Sequence, residues 1–61
     1  MMTYEIAEYK YACHLRDKGY VGELPYPSPK HSKMDAEGNW LLINREGHKL
    51  AKVFIGGKVI A

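Results

Sequence analysis

Only one cysteine, Cys13, occurs among the 61 residues, so no disulfide can form within the chain. A lone thiol fits a reducing compartment rather than a secreted, bridged scaffold. Long apolar runs are also missing, since none approaches the roughly 20 residues needed to span a bilayer. The opening MMTYEIAEYK lacks the basic stretch and apolar core of a signal peptide. These absences lead us to expect a cytoplasmic protein with no membrane contact. They also leave a small chain without staples: a core of this size rarely supplies more than about 3–5 kcal/mol, and association is one common remedy.

Motifs for chemistry are absent too. No CxxC or HxxxH spacing occurs, and the candidate metal ligands Cys13, His14, His31 and His48 are scattered. Cys13 and His14, adjacent on a helix, would project about 100° apart and would not converge. The segment Gly56-Gly57-Lys58 stands between two apolar runs rather than before a helix, so it reads as a hairpin turn and not as a phosphate cradle. A nucleophilic pair of Cys13 with His31 or His48 is disfavoured because Cys13 lies in an apolar stripe, where cysteine behaves as a small hydrophobe. Asp35 and Glu37, beside Gly38, suit a solubilising turn better than acid–base work. We therefore expect no enzyme, no metal and no cofactor.

Charge of one sign is scarce overall, with a net of +2, but its distribution is uneven. Residues 1–38 hold five bases against six acids, a net of −1. Residues 39–61 hold Arg45, Lys49, Lys52 and Lys58 against Glu46 alone, a net of +3.

Turning to what is there, the sequence reads as a single small α+β domain spanning 1–61, ordered α-β-β-β. Residues 3–18 suit a helix: Thr3 can cap it, Glu5 and Glu8 sit where the dipole favours acids, and Gly19 follows Arg16 and Lys18 as a C′ glycine. Tyr4, Ala7, Tyr11 and Leu15 form one apolar stripe, while Met2, Ile6, Tyr9 and Cys13 form another about half a turn away. Residues 20–38 form a connection that Pro25, Pro27 and Pro29 keep extended. Its first half, YVGELPY, is apolar enough to pack, and its second half, SPKHSKMDAEG, is expected to be exposed.

Residues 39–61, NWLLINREGHKLAKVFIGGKVIA, read as a three-stranded antiparallel meander with two-residue turns at Glu46-Gly47 and Gly56-Gly57. No internal repeat is apparent. Those turns would pair Ile43 with Leu50, Trp40 with Val53 and Phe54 with Val59. One face would carry Trp40, Leu42, Ala51, Val53, Ile55 and Ile60, covered by the helix. The other would carry Leu41, Ile43, Leu50, Phe54 and Val59, with Arg45, His48 and Lys52 at its margins. Such a face marks an interface unless the 20–34 segment folds back to cover it. The expected function is a non-enzymatic protein-binding module, an adaptor or inhibitor of a larger protein, or a homodimer. Its contact residues would be Tyr9, Leu41, Ile43 and Phe54, with Arg45 and Lys49 as rim charges. The alternative is a small nucleic-acid-binding regulator using Trp40, Arg45, Lys49 and Lys52.

Overall fold

A computed structural model describes residues 1–61. One helix, α1 (Tyr4–Asp17), precedes four short strands: β1 (Lys33–Met34), β2 (Trp40–Ile43), β3 (Lys49–Val53) and β4 (Val59–Ile60). The strands pair antiparallel in the order β1-β2-β3-β4. The helix ends follow local chemistry. Thr3 Oγ1 accepts the Ile6 N–H at 3.2 Å. At the other end the Gly19 N–H donates to Arg16 C=O and the Tyr20 N–H to Leu15 C=O, each at 3.0 Å. Gly19 holds φ +87°, so the last carbonyls are closed off by a left-handed residue.

The fold is α+β as expected, but the sheet has four strands rather than three. Lys33 and Met34, expected in an exposed connection, pair with Leu41 and Trp40. The cause is a repeated turn. In Asp35–Asn39, Asn44–His48 and Phe54–Lys58 alike, the first N–H donates to the fifth C=O and the fourth N–H returns to the first C=O. The fourth residues, Gly38, Gly47 and Gly57, all have positive φ. This is a three-residue hairpin loop, a tight turn closed by a left-handed glycine. DAEGN and NREGH therefore form a short internal repeat, nine residues apart, where none was expected.

The longer loops also correct the pairing. Trp40 faces Val53 as expected and Leu42 faces Ala51, but Ile43 pairs with Lys49, not Leu50, across a bulge that leaves Leu50 as the extra residue. Phe54 does not face Val59; Val53 does, and Lys52 faces Ile60. The slip moves Val59 to the helix side and turns Ile60 to the other, while Ile55 sits exposed in the last loop.

The second half of the connection is mostly exposed as expected, but burial otherwise departs from the expectation. Val21 and Tyr26 are exposed, whereas Pro27 and Ser28 are buried. Past the end of β1, the backbone of Ile43 needs partners, and the SPKHS turn supplies them. Ser28 N–H donates to Ile43 C=O at 2.7 Å, and Ser32 Oγ accepts Ile43 N–H at 3.0 Å.

The core lies between α1 and one face of the sheet. It comprises Met2, Ala7, Tyr11, Leu42, Ala51 and Val53, with Tyr4, Leu15, Trp40, Leu50 and Val59 packed around them. The stripe through Tyr4, Ala7, Tyr11 and Leu15 is thus the buried one. Of the second stripe, Met2 is buried and Ile6, Tyr9 and Cys13 face outward. Trp40 joins the layers: its indole N–H donates to Met2 C=O at 2.8 Å, and its ring meets Tyr4 edge-on at 5.9 Å and 74°.

Candidate protein-binding surface

The face of the sheet turned away from α1 is built by strand alternation. Since Leu42 and Val53 point into the core, Leu41 and Lys52 point out. Pairing then places Lys33, Leu41, Lys52 and Ile60 in one row across all four strands. Phe54, two residues beyond Lys52, lies on the same face, with the Lys52 ammonium 5.0 Å from its ring centroid. The result is a mixed face on which Lys52 stands between the apolar Leu41 and Ile60, Phe54 lies beside Lys52, and Lys33 sits at the β1 edge. Lys52, expected at the margin of this face, lies within it instead, between Leu41 and Ile60.

Asp35 anchors one end of the face. Its Oδ1 accepts the N–H groups of Glu37 and Asn39, both at 2.9 Å, and Oδ2 lies 3.6 Å from Lys52 Nζ. Chiefly through the Asn39 N–H, these contacts hold the Asp35 carboxyl below its ordinary range, against a weaker opposing effect of burial. Asn39, itself buried, passes the connection on: its amide nitrogen donates to Asp35 Oδ2 at 3.2 Å and its oxygen accepts the Ile55 N–H at 2.9 Å. Two of the three loops are thereby tied together at the edge of the exposed face.

The expected contact residues divide into groups. Leu41 and Phe54 are together on the open face. Ile43 is not available there, because the SPKHS turn packs over its backbone and buries it. Arg45, His48 and Lys49 are exposed at the far tip of the β2–β3 hairpin. Tyr9 is exposed on the outer side of α1, separated from the open sheet face by the core. Trp40, expected in the alternative as a stacking ring beside Arg45, Lys49 and Lys52, is instead half-buried on the helix side. Lys33 and Ile60 complete the surface and were missed. A two-residue strand carries no alternation of its own, and Ile60 changed sides with the register.

Burial elsewhere favours the neutral form of two phenols. Tyr4 is pushed up to about 12, first by burial and then by Glu8, and burial raises Tyr11, with Tyr20 adding to it. Tyr4 donates to Pro27 C=O at 2.9 Å, which fastens the proline segment to the helix. The imidazole Nδ1 of His31 lies 2.9 Å from Ser28 Oγ within the SPKHS turn. Cys13 and His14 lie beside β4, with Asp17 and Val59. No group of three or more His, Cys, Asp and Glu side chains converges anywhere as a metal-ion site. No helix is long and apolar enough to cross a membrane.

Comparison with protein-family models, with curated proteins and with solved structures finds no match to this chain.

Proposed function

We infer that this chain is a non-enzymatic protein-binding module of the cytoplasm, an adaptor or an inhibitor of a larger protein, that associates through the open face of its sheet. The observation that carries this reading is the one-sided packing of α1. The helix covers Trp40, Leu42, Ala51 and Val53, while on the opposite face Leu41 and Phe54 are half-buried and Ile60 is exposed, all three outside the core cluster. Apolar side chains grouped in this way contribute far more when a partner excludes water from them, at about 25 cal/mol per Å². Lys33 suits the margin of such a contact, and Lys52 stands within it between Leu41 and Ile60, its stem on apolar surface and its ammonium near Asp35. The occupant is another protein or a second copy of the chain.

The test is capture from cognate lysate on immobilised protein, with nuclease and raised salt as separate arms. A defined partner that survives both treatments, is lost with Phe54→Ala and Leu41→Ala, and is retained with Lys49→Ala supports this surface. Retention by the Phe54 and Leu41 variants overturns it. Material lost on nuclease treatment or at high salt, and weakened by Lys49→Ala and Lys52→Ala, would transfer the function to nucleic-acid binding.

A further inference from the structure

A second surface lies on the other side of the molecule, where α1 meets the proline segment. A groove of about 320 Å³ runs between the outer flank of the helix and residues 24–27. Tyr9 and Tyr26 are its exposed rings, 70% and 77% accessible, and Tyr11 lies at the base. Pro25 and Pro27 form the opposite wall, and Glu5 and Glu8 supply its only ionised groups. An adjoining hollow continues past Leu24 and Pro25 to Tyr20 and Glu23, again with no base among its lining residues. Lys10 lies beyond Tyr9, toward β4, and Arg45 beyond the Tyr26–Pro29 ridge.

Three properties select the guest. The charged groups are all carboxylates, so the groove is complementary to a cation and opposed to an anion. The tyrosines line the same groove as those carboxylates, a combination that suits an ammonium or a guanidinium. The proline wall also brings no competing donor, since Pro25 and Pro27 have no N–H, whereas arginine and lysine heads carry donors but no acceptor. The groove is ready-made. Proline fixes the backbone of its wall, Pro27 is fully buried, and the Tyr4 hydroxyl holds that wall to the helix at 2.9 Å, so little ordering remains to oppose binding.

We propose that this groove docks a basic, extended segment of a partner protein, an arginine or lysine stem lying between Tyr9 and Tyr26 with its head against Glu5 and Glu8. The site is independent of the sheet face and would give the module a second, electrostatically distinct contact.

The experiment is an amide NMR titration at low salt with three acetylated hexapeptides, alternating proline with arginine, glutamine or glutamate. The arginine peptide should shift the amides of Glu5, Glu8, Tyr9, Ala12 and Leu24, leaving those of Lys33, Leu41 and Lys52 in place. Its affinity should fall with added salt, exceed that of the glutamine peptide, and leave the glutamate peptide unbound. Glu5→Gln should weaken it about 2–5-fold, the range for an exposed charge contact. Tyr9→Ala should do the same by loss of the ring, and Tyr9 is exposed enough for the fold to survive. Equal affinity for the arginine and glutamine peptides, or shifts confined to the sheet face, would overturn the proposal. Groove shifts that grow with protein concentration alone would overturn it too, because they assign the groove to the basic hairpin of a second copy.

Discussion

The side-chain oxygen of Asn39 accepts the backbone N–H of Ile55 at 2.9 Å, bridging 16 residues of sequence. The same side chain donates to Asp35, so one buried amide serves two hairpin loops at once. Asn39→Ala would leave the Ile55 N–H without its partner and should cost about 2–3 kcal/mol in urea unfolding. The comparison is Asn44, whose oxygen accepts the N–H groups of Glu46 and His48 within its own exposed loop. Asn44→Ala should cost roughly 0.5–1 kcal/mol. Equal losses would mean that Asn39 is only another loop cap.

Leu41 and Leu42 are neighbours in sequence with opposite surroundings. Leu42→Ala would open a cavity against Ala7, Ala51 and Val53 in the core, at about 2–5 kcal/mol. Set against the few kcal/mol available to so small a core, this should leave the protein largely unfolded by circular dichroism. Leu41→Ala should keep the fold and its unfolding midpoint nearly unchanged while removing partner capture. The reverse pattern would exchange the two faces of the sheet.

The two glycines of the last loop provide a second contrast. Gly57 has φ +104°, and Gly57→Ala should destabilise by about 1–2 kcal/mol through left-handed strain alone. Gly56 has no such φ and nothing within 4 Å of an added Cβ, so Gly56→Ala should stabilise by about 0.4–1 kcal/mol, through the unfolded state. Thermal unfolding of the two variants reads both signs directly.

Acid should expose the contribution of Asp35. Its carboxyl is held below the ordinary value of 3.8, first by the Asn39 N–H. A group depressed in the folded state stabilises above its unfolded pKa and loses that contribution as pH falls through the folded one. Stability of the parent should therefore decline between about pH 5 and 2, and Asp35→Asn should flatten part of that decline. Identical acid limbs in parent and variant would remove Asp35 as a source of it.

Much of this was legible in the chain. Thr3 and Gly19 marked the ends of α1, the helix stripe through Ala7 and Tyr11 named its buried side, and the β2–β3 pairing of Trp40 with Val53 followed from Gly47. What failed was loop length. Reading Glu46-Gly47 and Gly56-Gly57 as complete two-residue turns concealed the bulge at Leu50 and misplaced Val59 and Ile60. The [D/N]-x-E-G pattern shared by residues 35–38 and 44–47 was the available signal for β1, but Lys33-Met34 is too short to announce a strand by itself. The groove beside α1 had no local signature at all. It depends on where the Tyr4 hydroxyl fixes Pro27, a contact between residues 23 positions apart.

The succession of short hairpins also bears on how the chain folds. Every strand pairs with its immediate neighbour in sequence, across loops whose closure entropy is small. The bond from Trp40 to Met2, by contrast, closes 38 residues. Low contact order should make the meander an early event and the docking of α1 a later one. Trp40, which lies at that junction, is the natural fluorophore: stopped-flow refolding should show its emission change lagging behind the strand signal. Simultaneous changes would instead make helix and sheet a single cooperative step.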